Sequence, residues 1–168
     1  MPINVPLPKI FDQFQIREWT AEDAEQIADI EFDPEVKKFL RLPSISRSEF
    51  LSQFQPDLAS GWAITIHPGH VVAGTIDMSK FEPNPKKREL RILLAKEYRS
   101  RGIASLSARF LIGCFFEAEW IEGIVGVVHP DNLDSIALMK KLGFTHTGSI
   151  TNEQQVFELD REHVNRRQ

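Results

Sequence analysis

Leu90-Arg91-Ile92-Leu93-Leu94-Ala95-Lys96-Glu97-Tyr98-Arg99-Ser100-Arg101-Gly102-Ile103-Ala104-Ser105 is the stretch on which the fold turns. Glu89 to Leu94 reads as a strand, Ala95 to Arg101 as a loop, and a helix begins at Gly102. Ile103, Leu106, Phe110 and Cys114 then fall on one apolar stripe at helical spacing. The first turn of a helix presents unpaired backbone N–H groups and the positive end of the dipole, so an anion held there is stabilised without a dedicated side chain. Gly102 has no Cβ to keep an anion away, Ala104 is small, and Arg99 and Arg101 bring positive charge. On these residues alone two readings stand. One is an anion site at a helix N-terminus; the other is a plain surface turn with a helix-opening glycine and two solvated arginines.

Working outward on the N-terminal side, residues 1–10 carry three prolines and read as an extended lead-in. Phe14 to Arg17 alternates as a strand does. Thr20-Ala21-Glu22-Asp23 and Ser46-Arg47-Ser48-Glu49 have the form of capping boxes, the first with Asp in the Glu/Gln position. Asp33-Pro34 reads as an N-cap followed by proline at the first helical position. Trp62, Ile64 and Ile66 share one face of a strand, Pro68-Gly69 marks a turn, and His70 to Met78 returns. Phe81 to Lys87 is polar and contains prolines, hence a loop.

On the C-terminal side, Ile121 to Val128 is almost continuously apolar, as in a strand buried on both faces. Asp131 to Leu142 reads as a short helix stopped by Gly143, and Gln154 to Leu159 as the last strand. The order β-α-α-β-β-β-α-β-α-β predicts an α/β chain of the α+β kind, a mixed sheet covered by helices. Arg161 to Arg167 reads as a charged, solvated tail.

A chain of 168 residues suits one domain, 1–168 with a core over about 12–160. It is 42% hydrophobic and 26% charged, ordinary for a globular protein. Its net charge of −4 argues against a general nucleic-acid binder. The single cysteine, Cys114, allows no intrachain disulfide and makes a cytoplasmic setting the expectation. There is no signal-like N-terminus and no run near ~20 apolar residues, so no membrane association is expected. The five histidines are scattered without metal-ligand spacing, so no metal is expected. Cys114 and the phenylalanines read as core, although Phe11, Phe32, Phe39 and Phe54 are also candidates to line an acceptor pocket.

Arg99-x-x-Gly102-x-Ala104, after a strand and before an amphipathic helix, resembles the acetyl-CoA loop of the GCN5-related N-acetyltransferase (GNAT) family. His129-Pro130-Asp131-Asn132-Leu133-Asp134-Ser135, followed by Leu142-Gly143-Phe144, is similar to that family's second cofactor segment. The element order extends the resemblance over nearly the whole chain. Within the family it looks closest to the branch that acetylates protein N-termini, ribosomal-protein acetyltransferases included.

The resemblance implies acetyl-CoA as cosubstrate. Main-chain groups of Ile92, Leu93 and Leu94 would pair with the pantetheine arm, while their side chains remain core. Arg99, Ser100, Arg101, Gly102, Ile103, Ala104 and Ser105 would line the pyrophosphate, and Asn132 would contact the pantetheine or order its loop; read from the residues alone, Asn132 is an N-cap. Ser135 matches a position near the thioester sulfur, where a hydroxyl would protonate the leaving thiolate. Many relatives use a tyrosine there, but the only tyrosine is Tyr98, inside the loop. Glu89 stands at the family-like position of a general base, and is otherwise an exposed strand-end carboxylate. Val127 stands where some protein-acetylating relatives have a glutamate.

This thin acid–base set bears on the acceptor. A lysine amine with pKa ~10.4 is roughly 0.04% neutral at pH 7, against roughly 14% for an α-amine near ~7.8. The sequence therefore favours an N-terminal α-amine or a small-molecule amine, attacking the thioester directly in a ternary complex. Two other readings are a non-catalytic acyl-CoA-binding or sensing module, and a different phosphate-ligand module on the same kind of sheet. The expected partners are acetyl-CoA, an amine acceptor and, as in many relatives, a second copy of the chain.

Overall fold

The computed structural model describes residues 3–40, 45–56, 61–68 and 70–165. In chain order its elements are β1 (Lys9–Ile10), β2 (Phe14–Arg17), α1 (Ala24–Glu31), α2 (Pro34–Lys37), α3 (Arg47–Gln53), β3 (Gly61–Ile66), β4 (Val71–Lys80) and β5 (Lys87–Leu94). They continue with α4 (Ile103–Glu117), β6 (Gly123–Val128), α5 (Leu133–Leu142), β7 (Thr145–Thr151), β8 (Gln154–Asp160) and α6 (Arg161–Asn165). The strands hydrogen-bond in the order β1-β2-β3-β4-β5-β6-β8-β7. The β5–β6 pair is parallel, and β1–β2, β2–β3, β3–β4, β6–β8 and β7–β8 are antiparallel. This is the mixed sheet that the order of elements in the sequence predicts.

By its contacts the chain divides into two compact units: Pro6–Asp77 with Ile92–Ile103, and Met78–Arg91 with Ala104–Gln168 and Met1–Val5. In the first, the sequence's capping signals are realised. Thr20 N donates to Asp23 Oδ2 at 2.7 Å, opening a 3-10 turn (Ala21–Asp23) that runs into α1. Asp23 is buried, and its carboxylate receives both Arg17 Nη groups at 2.8 Å. Burial pushes the Asp23 carboxyl up, but the Arg17 hydrogen bonds and the Thr20 amide outweigh it and hold the group below the usual range. Asp33 accepts from Glu35 N at 2.8 Å with Pro34 at the first helical position. Ser46 and Glu49 cap α3 reciprocally, at 2.6 and 3.2 Å.

The α1 face buries Ile27 and Ile30 against Val72, with Trp19, Phe50, Phe54, Leu93 and Ala95 packed around them. Gln26 ties α1 to β4, accepting from Val72 N at 2.9 Å and donating to the His70 carbonyl at 3.1 Å. Phe32, Phe50, Phe54 and Trp19 form a run of aromatic contacts, with ring centroids 5.5–5.9 Å apart. Phe11, Phe32, Phe39 and Phe54 are all half-buried, so none is core in the full sense. Gly69 of the Pro68-Gly69 turn lies outside the described residues.

In the second unit, β6 is buried except at the half-buried Val127, and at Gly126 α5 packs so closely that there is no room for a side chain. A Cβ on Gly126 would lie 2.5 Å from Met139 Sδ. Asn132 caps α5, accepting from Ser135 N at 3.2 Å, and Gly143 ends it in the left-handed region at φ 92°. Lys87 and Glu158 pair across β5 and β8, both half-buried. The expected stripe of α4 needs one correction: Leu106 is 46% exposed, while Ser107, Ala108, Leu111, Ile112, Cys114 and Phe115 are buried.

Arg161 is a second correction. It is half-buried rather than solvated, and its guanidinium donates to the carbonyls of Ile121 (2.9 Å), Phe116 (2.6 Å) and Ala118. Helix ends leave carbonyls unpaired, and Arg161 takes those at the end of α4 and the turn after it. The strand β7 was not readable as one. All but its last residue are exposed, so no apolar alternation marks it, and Gly148 (φ 79°) sits where its register with β8 shifts. The β1 pair, only two residues long, is likewise invisible in the pattern.

Candidate active site

The β5 strand is where the sheet departs from regularity. Its ladder with β6 spans only Lys87↔Gly123, Arg88↔Ile124 and Glu89↔Val125, although β5 runs on to Leu94. Burial along β5 alternates up to Leu90 and then is intermediate at every residue from Arg91 to Leu94. Ile92, Leu93 and Leu94 are thus half-buried, not the closed core expected of their side chains. Leu93 packs on the Ile27–Ile30–Val72 cluster, which fixes the strand end from one side. The Gly74 backbone presses on it from the neighbouring strand: a Cβ there would lie 2.2 Å from the Leu93 carbonyl oxygen.

After β5, Ala95 N donates to Ala73 O at 2.8 Å and a 3-10 turn (Lys96–Tyr98) leads to the loop. Ser100 and Gly102 both have positive φ, 61° and 78°. The serine is an L residue held in the left-handed region, a conformation retained only where the surroundings impose it. A Cβ on Gly102 would touch nothing within 4 Å, so the glycine serves backbone conformation and open space, not packing. Such left-handed turns beside a helix N-terminus turn successive N–H groups toward one side, as anion-binding loops do.

The two arginines of the loop differ. Arg101 is exposed and lies over the Tyr98 ring, 5.6 Å from its centroid. Arg99 is half-buried: its Nε donates to the Leu94 carbonyl at 3.1 Å, and its Nη1 faces Glu35 Oε2 at 3.7 Å. Lys96 Nζ stands 3.7 Å from the other oxygen of Glu35. Sequence pattern singles out neither Glu35, Lys96 nor Gly74. Lys96 lay in the quoted stretch, and Gly74 interrupts a β-branched run, the one signal that could have pointed to it.

The remaining candidates belong to the second unit. Ala104 and Ser105 are in the first turn of α4, with Ser105 buried. Asn132 is the N-cap that its position suggested. Ser135 is half-buried, and its backbone N–H donates to the Asn132 side chain. Glu89 is half-buried opposite Val125, inside the strand and not at an exposed end. Among the described residues no cluster of His, Cys, Asp and Glu could hold a metal, and no helix is long and apolar enough to cross a membrane.

A sheet of this order, a parallel pair that stops short, and a left-handed loop at a helix N-terminus define an acyl-CoA N-acyltransferase fold. A family model for the acetyltransferase (GNAT) domain matches residues 13–145, and the chain belongs to that family. It is an acetyltransferase of a family that uses acetyl-CoA. It is 24% identical over 152 residues to an uncharacterized N-acetyltransferase p20 of Bacillus licheniformis, covering 86% of this chain and 85% of that one. The ribosomal-protein-S5-alanine acetyltransferase structure from Vibrio fischeri superposes with a TM-score of 0.73 at 17% identity, over 91% of this chain and 96% of that one. The AAC(6')-Ib structure, in complex with parmomycin and acetyl-CoA, gives 0.74 at 16% identity, over 92% and 97%.

Proposed function

We propose that the protein transfers an acetyl group from acetyl-CoA to a primary amine, a peptide N-terminal α-amine or a small-molecule amine, by direct attack in a ternary complex. The observation that carries this is the β5 ladder: it ends at Glu89 while the strand continues for five residues into the left-handed loop. Main chain at Ile92–Leu94, beyond the end of the β6 ladder, is what an extended pantetheine amide chain would pair with on that side, and Arg99 to Ala104, with Ser105, is what its pyrophosphate would meet.

In this reading the neutral amine attacks the thioester carbonyl, and the carbonyl oxygen takes up the charge of the C–N bond formed. The Leu93 N–H donates to that oxygen. The attacking nitrogen loses its proton to Glu89, directly or through a water. Collapse breaks the C–S bond, and the Ser135 hydroxyl donates a hydrogen bond to the departing thiolate and relays a proton to it from solvent, so that no alkoxide is left behind. A thiol with pKa ~8.5 leaves readily, so a hydroxyl suffices where relatives place a tyrosine. Asn132 acts by holding the start of α5 on which Ser135 stands. One of the similar structures is a ribosomal-protein-S5-alanine acetyltransferase and another holds parmomycin with acetyl-CoA, and the limited acid–base set favours amines that are already partly neutral. The absence of an intrachain disulfide supports a cytoplasmic setting.

The test is an acceptor screen that reads free CoA release, run across peptides with N-terminal alanine or serine, aminoglycosides, polyamines and free amino acids. Turnover with one class names the acceptor. Tight acetyl-CoA binding with no release from any acceptor would return the sensing-module reading. Folded protein with no acetyl-CoA binding at micromolar concentration would end both. S135A is expected to lower kcat with little change in KM for acetyl-CoA.

A further inference from the structure

Glu35 stands in the first turn of α2, its backbone N–H donated to Asp33 at 2.8 Å and its side chain 53% exposed. Its two oxygens are each turned to a different cation of the segment between β5 and α4: Oε1 to Lys96 Nζ and Oε2 to Arg99 Nη1, both at 3.7 Å. These separations exceed the ~2.7–2.9 Å of a charge-assisted hydrogen bond, so the pairs are loose and exchangeable. Arg99 is fixed at its Nε on the Leu94 carbonyl, and only the far side of the guanidinium is given to the carboxylate. Arg101, by contrast, has no carboxylate partner among the described residues. One carboxylate therefore bridges two of the three cations of the loop expected to hold a pyrophosphate.

We propose that Glu35 is a resident counter-anion that competes with the cofactor's pyrophosphate for Lys96 and Arg99, which makes Lys96 a further cofactor-binding residue. This rests on the reading that the segment from Arg99 to Ser105 takes the pyrophosphate of acetyl-CoA. A pyrophosphate brings more charge and more acceptor oxygens than one carboxylate, so it wins the two cations and releases α2 from the loop. Glu35 thereby sets a lower cofactor affinity than the loop alone would have, and does so only for ligands that carry the diphosphate.

Calorimetric titration tests this with CoA and with pantetheine, which has no pyrophosphate. E35Q should bind CoA about three- to tenfold tighter than wild type at low salt, from two exposed ion pairs removed. The gain should shrink in ~0.5 M salt. Pantetheine affinity should not change. K96M should weaken CoA binding, and in its background the E35Q gain should fall by about half on a logarithmic scale. An E35Q protein that binds CoA no tighter than wild type overturns the proposal. So does a gain that persists undiminished with K96M, since that is the general field of one removed charge. A wild-type protein that binds no CoA overturns the pyrophosphate reading itself, and this inference with it.

Discussion

Gly74→Ala puts one methyl group where β4 meets the end of β5. The added Cβ would lie 2.2 Å from the Leu93 carbonyl oxygen and 2.6 Å from Leu94 Cδ2. The leucine methyl can rotate away, but the carbonyl is backbone. Real Cβ atoms essentially never come within 3.0 Å of such a neighbour, so strand or carbonyl must yield by at least about 0.8 Å. Forced backbone shifts of this kind cost about 2–3 kcal/mol. For a chain of this size that is a fall in Tm of roughly 6–9 °C, read by circular dichroism. The Leu93 peptide is also the one assigned to the pantetheine arm and the carbonyl oxygen. A displacement near 1 Å there should weaken acetyl-CoA binding, or kcat/KM, by about tenfold or more. A variant whose Tm stays within about 2 °C, with unchanged acetyl-CoA affinity, would refute the close-approach argument. A lowered Tm with unchanged affinity would leave the packing sound and remove Leu93 from the cofactor site.

Arg161→Ala strips three carbonyls around the end of α4 of a charged donor and should lower stability by about 3 kcal/mol, measured by urea unfolding. Thr65→Val should raise stability by about 1 kcal/mol, because the Thr65 hydroxyl is fully buried with no hydrogen-bond partner among the described residues and valine keeps its shape; a fall in the melting midpoint would count against it. The Asp23 carboxyl is held below its unfolded value, so its contribution is full above about pH 4 and is lost as pH falls through the lower folded value. Asp23→Asn should accordingly be less stable than wild type at pH 7, and the difference should narrow in acid melts.

Local chemistry was legible wherever a side chain closes on its own neighbourhood. The Ser46–Glu49 box, the Asp33–Pro34 helix start, Asn132 at the head of α5 and Gly143 at its end all hold within a few residues, so spacing alone reveals them. Long-range contacts were not legible. Arg161 caps a helix that ended some 44 positions earlier, and nothing in its own charged segment distinguishes it from a solvated tail. Gly74 has a role only because Leu93 comes against it. The loop proposed to hold the cofactor stands between these cases. Gly102 and the arginines suggest an anion site from spacing alone, but that Arg99 turns its charge to Glu35 depends on a helix more than 60 residues away. The strand β7 escaped because a strand exposed on both faces carries no alternation, whatever its backbone does.

That same strand has a consequence for handling the protein. β7 lies at the end of the sheet, and Thr145-His146-Thr147-Gly148-Ser149-Ile150-Thr151 contains no lysine, arginine, acid or proline. Those are the residues that usually keep the open rim of a sheet from templating a stranger's backbone. What stands in for them is the left-handed Gly148 at the break in register with β8. The residue that spoils the strand thus also guards it: the kink denies an incoming chain a straight seven-residue partner, at a glycine whose added Cβ would meet nothing within 4 Å.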